Sequence, residues 1–171
     1  SATGMWVSLL SAIMASPPRW LLAGIVLLLL AGGAFVATGT LDSGPYDRTT
    51  VTINDADTDA NLASVNVRIA DSPQKRYTGL SNTSSIGPNE GMLFIHGSEG
   101  TRGYVMRKMA FPIDIVFIDA SGEITTIHHA EPSDDQTFRG PAKYVLEVPH
   151  HYTTDNDIAV GDQVGVPDGD R

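Results

Sequence analysis

Residues 103–122 read GYVMRKMAFPIDIVFIDASG, and the fold turns on the run from Ile113 to Asp119 inside them. Alternation sends Ile113, Ile115 and Phe117 to one face and Asp114, Val116 and Ile118 to the other, the period of a strand. Asp114 therefore shares its face with apolar neighbours. A carboxylate so placed needs a partner, because burying it alone costs several kcal/mol or raises its pKa. Arg107 and Lys108 are the nearest cations in sequence, and Pro112 sets the bend between them and the strand.

Outward from this run the same period recurs. SVNVRIA (64–70), GMLFIH (91–96), GYVMR (103–107), EITTIHH (123–129), KYVLEV (143–148) and DQVGV (162–166) are further strand candidates, each bounded by Gly, Pro, Asp or Ser. One helix stands out in DSPQKRYTGL (71–80), where Ser72 can cap, Pro73 suits the first turn and Gly79 can close the end. A second short turn is expected around Tyr152–Asn156. The pattern predicts a mainly β fold, a compact antiparallel sandwich or small barrel with one or two short helices.

Ahead of this domain, Trp20–Leu41 carries no charge for 22 residues, long enough to span a hydrocarbon core of about 30 Å. Arg19 before it and Asp42 after it place the N-terminus in the cytoplasm and the rest outside. The chain divides on this reading into an N-terminal segment (1–19), a transmembrane helix or uncleaved signal anchor (20–41), a linker with an edge strand (42–63), a β domain (64–167) and a tail (168–171). Cleavage near Ala34, Ala37 or Gly39 would instead release a secreted form.

Composition narrows the function classes. There are 20 acidic residues against 11 basic and no cysteine. Disulfides, thiolate nucleophiles and cysteine-bound zinc are excluded, and the phosphate-neutralising face of a nucleic-acid binder is missing. An acidic, lysine-poor surface resembles that of halophiles, where salt screens the repulsion.

RIADSPQKRYTGLS, EGMLFIH, YVMRKMAFPIDIVFID and YVLEVPHHY, closed by IAVGDQV, resemble in that order the uncharacterised domain-of-unknown-function family numbered 192, from about Val65 to Val166. The resemblance implies a compact, mainly β domain, often behind a signal or membrane segment, and brings no established reaction. The family commonly shows Trp-Met-Lys-Asn where this chain has Val105-Met106-Arg107-Lys108, and a methionine where Ser81 stands.

Arg107, Lys108 and Asp114 form the leading candidate cluster, a structural ion pair or a charged ligand site. Met106, Glu147 and His96 are secondary candidates. Met106 reads better as core than as a ligand, and Glu147 as a solvent-facing or turn-bonding residue before Pro149. Adjacent strand residues point to opposite faces, so His128/His129 and His150/His151 can each give one ligand to a shared site. His96 and Glu147 could join them, yet no HxH or HExxH spacing is present. No metal and no cofactor are expected. Nor is there a nucleophile elbow, a P-loop or a dinucleotide fingerprint. The expected function is a membrane-anchored extracytoplasmic module that binds a small ligand or an envelope component. The alternative is a hydrolase acting on an envelope polymer through Asp114 with Glu147 or a histidine.

Overall fold

The computed structural model describes residues 45–167. The expected membrane span at 20–41 lies outside the described residues, among which no helix is long and apolar enough to cross a membrane.

Seven strands and two short helices follow one another as β1 (Arg48–Asn54), β2 (Asn61–Ala70), α1 (Pro73–Thr78), β3 (Glu90–Tyr104), β4 (Ile113–Ile118), β5 (Ile124–Ala130), β6 (Phe138–Pro149), α2 (Tyr152–Asp155) and β7 (Gln163–Gly165). They form one sheet in the order β5-β4-β6-β3-β2-β1-β7. The sheet curls until its edges touch: Glu123 bridges Gln163, Val164 N–H donates to Gly122 O at 2.8 Å, and Ile124 N–H to Asp162 O at 2.9 Å. Curling relieves the exposed-edge problem of an open sheet at that end.

The curl divides the apolar side chains into two cores. The concave core gathers Val65, Val67, Leu93, Val116, Ile118 and Leu146, with Tyr152 of α2 across one end. The convex core lies on the outer face of β3, β4 and β6, where Met92, Phe94, Ile115, Phe117 and Val145 are covered by Leu80 and Met106 from the connecting loops. All six residues of β4 are buried. Ile113, Ile115 and Phe117 face the convex core and Val116 and Ile118 the concave one, as the alternation predicts.

Two expectations are corrected. The sheet is not wholly antiparallel, because Asn66–Ala70 of β2 pairs in parallel with Glu90–Phe94 of β3. Parallel neighbours require a crossover, and α1 with the loop behind it is that crossover, packed over the convex face. GYVMR does not make a strand of its own: Gly103 and Tyr104 end the long, irregular β3, whose register with β6 shifts between Ile95 and Gly100, and Val105–Arg107 turn away. Within the segment read as a linker with an edge strand, Arg48–Asn54 forms a strand that pairs with β2 on one side and β7 on the other.

Local chemistry explains α1. Ser72 accepts from Lys75 N–H at 3.3 Å, Pro73 begins the first turn, and Gly79 closes the helix at φ 49°. Gly91 marks a close backbone approach, since a Cβ there would lie 2.6 Å from Glu147 O.

Candidate functional site

Asp114 is fully buried, and its partners are local dipoles. Oδ2 accepts from Thr153 N–H at 2.9 Å and Thr153 Oγ1 at 2.7 Å. Oδ1 accepts from His129 Nδ1 at 2.7 Å and from His151 N–H at 3.2 Å. Helix α2 starts at His151, whose side chain makes no capping bond. Asp114 supplies the missing cap from a neighbouring strand, satisfying donors that a helix start leaves open. Burial pushes its carboxyl up, but the bonds from Thr153 and His129 outweigh this and hold it below the usual carboxylate range.

A cleft of about 610 Å³ opens on the other side of the sheet, between α1 and the second half of β3. Leu80, Phe94 and Met109 give it an apolar lining. Arg76, Arg102 and Arg107 stand around it, each steadied by backbone carbonyls. Arg76 Nη1 donates to Ile95 O at 2.9 Å and to Asp71 O, Arg102 Nε to Ala142 O at 3.3 Å, and Arg107 Nη2 to Tyr77 O at 2.5 Å. The Arg107 guanidinium also lies 4.0 Å from the centre of the Tyr77 ring. A guanidinium has five N–H donors, so these bonds orient it without exhausting it.

Glu147 also lines the cleft. It faces Met92 on β3 and Ile115 on β4, both fully apolar neighbours. Burial pushes its carboxyl up to about 8, so at neutral pH it is mostly protonated. A protonated carboxyl donates a hydrogen bond as well as accepting one. Beside it, burial and the neighbouring Glu147 raise the Tyr104 hydroxyl. Tyr104 is tied to His96 Nε2 at 3.0 Å, and burial, then Arg102 and Arg76, push the His96 ring down to about 4. His96 is neutral at pH 7, and the three arginines are the cleft's fixed charges.

DUF192, described as "Uncharacterized ACR", matches residues 53–166. The chain belongs to the DUF192 family. A UPF0127 protein of Thermococcus sibiricus is 34% identical over 101 residues, covering 57% of this chain and 64% of that relative. The chain thus spans under two thirds of that relative's length. Among solved structures, a candidate transcription regulator of Sinorhizobium meliloti 1021 has TM-score 0.67 at 27% identity, covering 71% of this chain and 95% of that one. A protein of unknown function from Novosphingobium aromaticivorans has TM-score 0.64 at 24% identity, covering 70% and 85%, and shows the fold alone.

In this DUF192 domain the leading sequence cluster is not one site. Arg107 belongs to the cleft, Lys108 lines a smaller hollow next to it with φ 57°, and Asp114 is capped into α2. The expected pairing of Asp114 with Arg107 or Lys108 is replaced by hydrogen bonds to His129, His151 and Thr153, because β4 turns that carboxylate to the end of the concave core. Met106 is buried in the convex core. Glu147 is buried, not solvent-facing, because its face of β6 belongs to the convex side, over which Leu80, Met106 and the α1 segment pack. His96 and Glu147 meet in the cleft, while His129 and His150 gather at Asp114.

Arg76, Arg102 and Tyr104 escaped sequence reasoning. The one visible trace of the two arginines was the excess of arginine over lysine, eight against three. Ser81, Val105 and Arg107, where the sequence departs from the residues usual in the family it resembles, all line the cleft. Ser81 Oγ donates to Arg107 O at 2.9 Å.

Proposed function

We propose that the domain is a binding module for a small organic anion, held outside the cell by the apolar segment 20–41. One observation carries this reading: three oriented guanidiniums and a protonated Glu147 surround an apolar-lined cleft in a chain of net charge −9. Guanidinium forks match carboxylate and phosphate oxygens, and the apolar lining suits the carbon body behind such a group. Glu147 and Tyr104 supply hydrogen bonds to a polar substituent without adding negative charge.

Nucleic-acid binding, suggested by the printed name of the Sinorhizobium meliloti structure, is not carried over to a chain with 20 acidic against 11 basic residues. The hydrolase alternative keeps one supporting observation, a carboxyl pushed up to about 8 and suited to general-acid work. Glu147, not Asp114, would be its acid.

The test is calorimetric titration of the purified chain at pH 6.5 with acetate, succinate, galacturonate and inorganic phosphate. At least one is expected to bind, with affinity reduced about tenfold or more by Arg102→Gln. No heat with any of the four, or binding indifferent to Arg102, would defeat the reading. Release of new reducing ends from polygalacturonate on incubation with the chain would favour the hydrolase. Membrane fractionation of cells expressing the whole chain, with and without residues 20–41, tests the anchor.

A further inference from the structure

We infer that Asp114, His129 and His150 form a site for a first-row divalent transition metal, with zinc the ion their donor set suits. One ligand atom each from Asp114, His129 and His150 can be chosen so that all three lie within 4.8 Å of one another. The sheet places them: Asp114 pairs with His129 across β4 and β5 and with Val148 across β4 and β6, and His150 follows just beyond the end of β6. From Asp114 Oδ1, His129 Nδ1 is 2.7 Å away and His150 Nδ1 3.5 Å. Bonds of about 2.1 Å in tetrahedral geometry set neighbouring ligand atoms about 3.3 Å apart. The Asp114–His129 contact has to open by about 0.6 Å, and the His129 side chain is half exposed.

A second observation points to a missing cation. Among the described residues, His150 Nδ1 is the one buried side-chain nitrogen or oxygen without a hydrogen-bond partner. Its other nitrogen, Nε2, lies 3.6 Å from Glu131 Oε1. In the tautomer that points its N–H at this carboxylate, the bare Nδ1 lone pair faces an Asp114 oxygen. Two lone pairs confronting each other at that distance repel, and an orphaned buried atom calls for an unseen water or ion. A cation between them removes both problems. Glu131 then acts as the carboxylate that orients a metal-bound imidazole, and Thr153 and His151 N–H hold the Asp114 carboxylate in place. Two imidazole nitrogens and one carboxylate oxygen match a zinc site that leaves a fourth position open on the solvent side. Binding requires His129 to carry its proton on Nε2 instead of on the Nδ1 that now faces Asp114.

The site is independent of the cleft, with which it shares no residue. The experiment uses the full chain, stripped with EDTA and titrated with zinc chloride against a chromogenic chelator, with copper(II) as a second probe because it generally binds such donors more tightly. One equivalent of zinc is expected. His129→Ala and His150→Ala should each weaken it tenfold or more, while His128→Ala, whose Nε2 contacts Arg139 O, should leave it unchanged. Imidazole nitrogen NMR should show His129 changing tautomer on zinc addition, and circular dichroism of each variant checks its folding. Absence of stoichiometric zinc and copper, affinity untouched by His150→Ala, or equal loss with His128→Ala would overturn the site.

Discussion

Asp114 and Glu147 are both buried carboxylates, and their surroundings drive them in opposite directions. Four local donors hold Asp114 ionised, so its contribution to stability is complete above the ordinary carboxylate value and is lost as pH falls through its lower folded value. Asp114→Ala strands the buried Thr153 N–H and hydroxyl and the part-buried His151 N–H, and should cost about 3–5 kcal/mol in urea unfolding at pH 7. Thr153→Val, which removes one of those bonds, should cost about 1–2 kcal/mol. Glu147 has apolar neighbours instead. Its folded value of about 8 lies above the ordinary 4.5, so the native state holds a proton that the unfolded chain has lost, and stability falls as pH rises through that window. Glu147→Gln should therefore be near neutral at pH 5 and stabilise by about 2–4 kcal/mol at pH 8.5. Equal effects at the two pH values would show that Glu147 titrates normally.

At the scale of elements, local signals were readable and pairings were not. The facing of β4, the Ser72–Pro73–Gly79 punctuation of α1 and the turn at α2 follow from residues close in sequence. The parallel β2–β3 pair does not, because it depends on where α1 lands after the chain leaves β2. The misreading of Glu147 has the same root: alternation shows which residues share a face, but whether that face meets solvent depends on what packs over it, here α1 and the loop carrying Leu80. The candidate site was legible in part. Arg107, His96 and Glu147 were noticed separately, and the cleft that unites them is built from segments 73–81, 94–109 and 147. Gly91 tests this packing, because alanine there would push a methyl against Glu147 O. Gly91→Ala should destabilise by about 1–3 kcal/mol, measured by thermal unfolding.

For the molecule as a whole, two titrations oppose each other over part of the pH range. The His96 ring, pushed down to about 4 from 6.5, makes stability fall as pH drops through that interval, whereas Glu147 makes it fall as pH rises from 4.5 to about 8. Their slopes nearly cancel between pH 4.5 and 6.5, and above that the slope of Glu147 remains. Unfolding free energy should therefore be flat in the first interval and drop by about 2 kcal/mol from pH 6.5 to 8. The net charge of −9 adds a separate expectation. We propose that the acidic surface is suited to high salt, so that molar sodium chloride raises the melting temperature by screening repulsion.

The protonation state of Glu147 decides the account most directly, because an ionised carboxylate on the cleft wall would repel the anion that three arginines attract. Carbon-detected NMR of the side-chain carboxyl through a pH titration measures it. A midpoint near 8, moving when a bound organic anion is present, is the predicted result. A midpoint near 4.5, unmoved by any anion, would contradict it.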